Sequence, residues 1–262
     1  MLPISDDNPT VRTPVVTYLL LGTLVAVWVF VQGALEFGEA GMLKLAASVC
    51  DLGMVPGELT GLAPVGLAVP LGPGLACVVD DYSINRITPL TSMFLHGGWG
   101  HLLGNGLFLW VFGNNVEDAM GRVRFIAFYL LCGLAAAAAH VMVSPGSPIP
   151  TVGASGAVSG VLGAYLILFP RVRVNMLFWF IVIIRVIPVP AWLVLVYWFV
   201  VQLVTGLPEL SRVDAEISGG VATWAHVGGF VAGAVLVFLF ANVRQARERS
   251  ISLHPQGRQR LR

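Results

Sequence analysis

The chain has 262 residues, 56% of them hydrophobic and 11% charged, with a mean hydropathy of +0.83. Soluble domains carry about 25% charged residues, so this composition excludes an ordinary soluble globule and indicates a polytopic membrane protein with one compact membrane domain. The formal net charge of +1 is uninformative, but the placement of the charges is not.

The residues before the first apolar run carry no basic region or small-residue cleavage site, so no secretory signal is expected there. The run itself is expected to stay as a helix. Candidate spans in chain order are Pro14–Gln32, Gly98–Phe112, Val123–Val143, Ser155–Phe169, Val189–Thr205 and Val221–Ala241. The second and fourth are short for a hydrocarbon core of about 30 Å. Short helices inside a bundle bring water-accessible groups below the membrane surface. The apolar segment Asn175–Ile187 contains Arg185 and runs into Pro188 and Pro190. It reads as a loop packed at the interface, or as an early start of the fifth helix. The fold class is an all-α membrane protein, a bundle of six transmembrane helices.

Basic residues set the orientation. With the N-terminus cytoplasmic, Arg12, Arg122, Arg124, Arg171, Arg173, Arg185, Arg244, Arg247, Arg249, Arg258, Arg260 and Arg262 all fall inside, and Lys44, Arg86 and Arg212 fall outside. Both termini are therefore expected in the cytoplasm. Residues 1–13 form a short cytoplasmic segment, 14–243 the membrane domain and 244–262 a basic tail whose polarity is compatible with disorder. The arginine-rich composition suggests a GC-rich bacterial genome, hence a bacterial inner membrane. The first outer loop, Gly33–Leu95, is too apolar for a solvated linker. It is expected on or in the outer leaflet, with a short helix near Gly41–Cys50. Cys50, Cys77 and Cys132 fit no metal motif. Cys50 and Cys77 share this loop and could pair in an oxidising compartment, while Cys132 is expected inside a helix.

With the N-terminus inside, the second, fourth and sixth spans all run inward from the outer face. His101 and Asn105 lie early in the second, Ser155 opens the fourth, and His226 lies about a turn and a half into the sixth. All four fall in the outer half of the membrane, where polar side chains are costly. His101 and Asn105 are four apart and share a helix face. Gly156 and Gly160, and Gly229 and Gly233, form small-residue stripes that let helices approach closely. Ala222 and His226 extend the second stripe. A Ser–His hydrogen bond needs such an approach.

Bland readings compete. A serine among glycines is ordinarily packing glue, and Ala157 stands where the soluble-hydrolase elbow G-x-S-x-G has its last glycine. His96 reads as structural or interfacial, His140 as an interfacial side chain and His254 as solvated in the tail. Glu117 and Asp118 are explained by capping and pairing with nearby charges. Trp99 and Trp224 read as interface anchors. The coincidence of a serine, two histidines and an asparagine at one depth favours chemistry over packing.

The run from Leu90 to Asn105 (Leu-Thr-Ser-Met-Phe-Leu-His-Gly-Gly-Trp-Gly-His-Leu-Leu-Gly-Asn), then Gly153-Ala154-Ser155-Gly156, then Ala225-His226-Val227-Gly228-Gly229 closely resembles the rhomboid family of intramembrane serine proteases. The resemblance runs from about Arg86 to Leu239. Phe112 to Asp118 and Gly121-Arg122 also resemble the family's inner loop. It implies a water-filled site open to the outside, with Ser155 as nucleophile and His226 as general base. This would be a dyad without an acidic third member. It further implies an oxyanion hole of His101, Asn105 and the Ser155 backbone N–H. The first outer loop would lie partly in the membrane, and the fifth helix with loop Gly206–Gly220 would gate lateral access. One departure stands out: Ile87-Thr88 occupy the place where many members carry Trp-Arg. The implied partners are transmembrane protein substrates and the lipid bilayer. No cofactor, metal or nucleic acid is implied. Two rivals remain. A non-catalytic rhomboid-like protein that binds transmembrane helices would ordinarily lack the Ser or the His. A small transporter would need polar residues through the full depth of the spans.

Overall fold

A computed structural model describes residues 2–72, 74–180, 183–211 and 222–253. Expectations for Arg212, for most of the loop that ends at Gly220, and for His254 and the arginines after it lie outside these residues.

The apolar stretches form helices, but the second, expected to be short and to end at Phe112, runs on to Met120, and the fifth runs past Thr205 to Ser211. They are Val15–Ala26 with a π-type continuation to Val31, Trp99–Phe108 continuing through Leu109–Gly113 into Asn114–Met120, Arg122–Val143, Ser155–Leu168, Ala191–Ser211 and Thr223–Phe240. Among the described residues, Arg122–Val143 and Thr223–Phe240 are long and apolar enough to cross a membrane, while Val15–Val31, Ser155–Leu168 and Ala191–Leu207 are shorter apolar helices. Ser155–Leu168 is the innermost, with every residue from Gly156 to Tyr165 buried. Phe112, Phe125, Phe128 and Tyr129 of neighbouring elements, and its own Tyr165, are fully buried.

The glycine stripes act as expected. A Cβ at Gly229 would collide with the Gly156 carbonyl, and one at Gly233 with the Gly160 carbonyl. On the other face of the Ser155 helix, a Cβ at Gly160 would fall 2.5 Å from Cys132 Sγ and one at Gly156 2.5 Å from Ala136 Cβ. The helices carrying Ser155 and His226 thus meet backbone to backbone, with Arg122–Val143 pressed against both.

At the end opposite Ser155, Glu117 and Asp118 are buried; Glu117 caps the distant helix that starts at Val15, and Asp118 ties down the segment just before it. Glu117 accepts Val16 N–H (3.0 Å), Thr17 N–H (2.7 Å) and the Thr17 hydroxyl (2.8 Å). These backbone N–H groups have no partner inside the first helix turn. Asp118 accepts Val11 N–H at 3.0 Å and Arg12 N–H at 3.2 Å and pairs with Arg249 at 3.0 Å. The basic tail is not wholly irregular: Val243–Leu253 is helical, held by Arg249 on Asp118, by Arg247 on the Ile167 carbonyl (2.5 Å) and by Ser250 on Asn8 (2.7 Å).

The all-α reading needs correcting, because among the described residues two small sheets flank the helices. Arg173–Phe180 (β4) and Ile183–Pro190 (β5) make an antiparallel hairpin, where a loop or an early helix was expected, and Leu2–Asp6 (β1) adds to its free edge in the order β1-β4-β5. Pro3, Pro188 and Pro190 sit on the two outer strands, where a missing N–H can face away from the ladder. The long loop Gly33–Leu95 contains helix Glu39–Leu52, which covers the expected Gly41–Cys50. It also contains a second hairpin, Ala68–Gly72 (β2) with Leu75–Val78 (β3). A Cys50–Cys77 disulfide joins the two, and Cys132 is free and buried.

Candidate active site

Ser155 is the first residue of its helix, so its side chain sits where the early backbone N–H groups are unsatisfied. Gly153 leads into it with φ +136°, a conformation that L side chains rarely adopt. A Cβ at Gly153 would stand 2.7 Å from His101 Cε1 and Nε2 and 3.5 Å from Ser155 Oγ. The Cε1–Nε2 edge of His101 therefore lies against the turn that presents the serine, and only glycine leaves it room. The Gly153 N–H bonds to the Ser92 carbonyl at 2.9 Å, fixing this turn to the Thr-Ser-Met-Phe segment.

Across the glycine seam, Ser155 Oγ and His226 Nε2 are hydrogen-bonded at 2.7 Å. The other imidazole nitrogen, Nδ1, lies 2.9 Å from Gln202 Oε1 on helix Ala191–Ser211. Trp198, one turn earlier, faces the same imidazole with ring centroids 6.0 Å apart.

The second helix supplies the remaining polar groups. The Gly97 N–H points at His101 Nδ1 at 3.4 Å, which favours the tautomer with the proton on Nε2, the edge turned toward Gly153. Asn105 is buried at 7% exposure, and its Nδ2 has no hydrogen-bond partner among the described residues. His96 is fully buried, stacks edge-on against His101 with centroids 5.2 Å apart, and has neither ring nitrogen bonded to any of the described residues. Its backbone is clamped by Gln32, which donates to the His96 carbonyl and accepts the His96 N–H, each at 2.8 Å. His140, expected as an interfacial side chain, instead bonds Thr151 at 3.1 Å, and Thr151 pairs with Met54 of the long loop. Trp224 donates to the Gly206 carbonyl at 3.1 Å rather than only anchoring an interface.

Ser155, His226 and His101 are thus gathered at one end of the bundle, with Asn105 one turn along from His101. Sequence reading passed over Gln202 and Gln32. Both are amides inside or at the end of otherwise apolar spans, and that polarity at depth was the available signal.

The family model described as Rhomboid domain matches residues 85–243. The chain is similar to Rhomboid protease GluP of Bacillus subtilis, 44% identical over 77 residues, covering 29% of this chain and 15% of that protein. It is similar to Rhomboid protein 1, mitochondrial, of Saccharomyces cerevisiae, 28% identical over 190 residues, 68% of this chain and 48% of that protein. Rhomboid-like protease 5 of Toxoplasma gondii is 31% identical over 156 residues, 58% of this chain and 16% of that protein. The chain thus spans about half the length, or less, of these curated relatives. The matched region encloses every residue of the gathered site, from His96 to His226, and by it this chain belongs to the rhomboid family.

Proposed function

We propose that this chain is an intramembrane serine endopeptidase that cleaves transmembrane segments of other membrane proteins near the outer membrane face. The observation that carries this reading is the 2.7 Å hydrogen bond between Ser155 Oγ and His226 Nε2. His226 takes the hydroxyl proton as Ser155 attacks the substrate carbonyl, then returns it to the leaving amine. The oxyanion is received by the Ser155 N–H at the helix start, by His101 Nε2–H and by the unpaired Asn105 Nδ2. Helix N-terminal N–H groups favour negative charge at the same place. A substrate helix must unwind locally, because its amides are shielded by their own hydrogen bonds. Small or helix-weakening residues near the outer face are therefore the expected cleavage context.

The basic-residue bias supports both termini in the cytoplasm and six spans, with residues 14–243 as the membrane domain and a bacterial inner membrane as its location. The hydrogen bonds of Glu117 to the first helix and of Asp118 to the segment before it then lie on the cytoplasmic side, and the Cys50–Cys77 disulfide on the oxidising side.

The test is labelling of the purified chain with a fluorophosphonate probe, beside cleavage of a transmembrane reporter. Wild type is expected to label and to cut; Ser155→Ala and His226→Ala are expected to do neither while staying folded. Reporter cleavage by folded Ser155→Ala at the wild-type rate would sink the reading.

A further inference from the structure

We infer that Gln202 is the positioning residue for the general base, making the site a Ser155–His226–Gln202 relay with a neutral third member. The inference rests on the protease reading above. A neutral imidazole carries one proton, and only the form protonated on Nδ1 leaves Nε2 free to receive the serine proton. Gln202 Oε1, at 2.9 Å from Nδ1, accepts that N–H and selects this form. The amide turned the other way would offer N–H groups to Nδ1, send the ring proton to Nε2 and leave Ser155 facing a donor instead of a base. An amide suits the position: it supplies an acceptor at membrane depth without the cost of a buried carboxylate.

Gln202 does not act alone on the ring. Trp198 and Gln202 are four residues apart and share one face of helix Ala191–Ser211. Trp198 packs tilted at 39° beside the imidazole and also stacks on Phe230 of the His226 helix, with centroids 5.9 Å apart. One helix thus holds the ring from beside it and by its far nitrogen, while Ser155 holds the near one. Any outward movement of that helix removes both restraints together, so the base is oriented only while this helix is docked.

The experiment uses the full chain, with Gln202→Leu, an apolar replacement, and Gln202→Glu, which can only accept. Gln202→Leu is expected to lower kcat about tenfold to hundredfold, part of the 10²–10⁴ that a positioned acid–base group contributes, with KM and melting temperature little changed. Fluorophosphonate labelling is expected to slow in parallel. Gln202→Glu is expected to recover most of both rates. In ¹⁵N spectra of histidine-labelled wild type, assigned by difference from His226→Ala, Nδ1 of His226 is expected to carry the proton. Wild-type rates in a folded Gln202→Leu, a Gln202→Glu no faster than Gln202→Leu, or a His226 protonated on Nε2 would each overturn the inference. The last readout needs no variant at position 202 to fold. Failure of wild type to label would instead overturn the protease reading, and this inference with it.

Discussion

Asn105 is buried with its Nδ2 unpaired, and an unsatisfied buried donor costs roughly 1–3 kcal/mol. A resting molecule keeps such a group only at a loss, unless a later state supplies the acceptor. Asn105→Ala should therefore separate two quantities that usually fall together. Turnover is expected to drop by about 10²–10³, the usual effect of losing one oxyanion donor, while the melting temperature holds or rises. Steady-state kinetics beside a thermal melt checks this, and unchanged turnover removes Asn105 from the role. His101, Asn105, Ser155 and His226 were legible in the sequence because polar groups on three different spans shared one inferred depth. Gln202 was equally polar at a comparable depth. It was missed because no ionisable residue stands three or four positions from it to mark a face, and its partner is on another helix. The roles of Glu117 and Asp118 were misjudged for the same physical reason. Local spacing offered them nearby arginines, whereas Glu117 bonds the N-terminal amides of a helix some hundred residues earlier in the chain, and Asp118 bonds the Val11 and Arg12 amides before that helix and the distant Arg249.

The helices were legible because apolar length is a strong signal, and the seam because glycine repeats at helical spacing have few other uses. The backbone-to-backbone seam makes a sharp prediction. Gly233→Val must displace the Gly160 carbonyl, and overpacking of this kind costs about 1–3 kcal/mol. Spreading the two helices also lengthens the Ser155–His226 bond, so probe labelling is expected to fall along with stability. Gly22→Ala is the control, since a Cβ there meets open space; equal losses in both variants would argue against a specific seam. The hairpin β4–β5 was not legible. A short apolar run does not reveal by periodicity whether it is strand or helix, and the third strand that completes the sheet comes from the opposite end of the chain, with Ser5 against Asn175.

Across the whole molecule, the N-terminal strand joins pieces that the helices alone leave separate. Asp6 receives hydrogen bonds from the Tyr165 hydroxyl and, at 2.8 Å, from Asn115 Nδ2, so one carboxyl links the far ends of the Ser155 and His101 helices. Burial pushes the Asp6 carboxyl up to about 6, against the lowering effect of the Tyr165 hydrogen bond. A carboxyl with a raised folded-state value favours folding most below its unfolded value and loses that contribution as pH climbs through the folded one. The wild-type melting temperature is thus expected to fall, relative to Asp6→Asn, between about pH 4 and pH 7, and a constant difference over that range would exclude Asp6 as the cause. The Cys50–Cys77 bond has a use of another kind. It closes only if the long loop reaches an oxidising space, so a chain threaded the wrong way keeps three thiols where a correctly threaded one keeps only Cys132. Counting alkylatable sulfurs in a membrane preparation thereby gives the fraction of molecules that inserted in the working sense, with no tag, antibody or substrate.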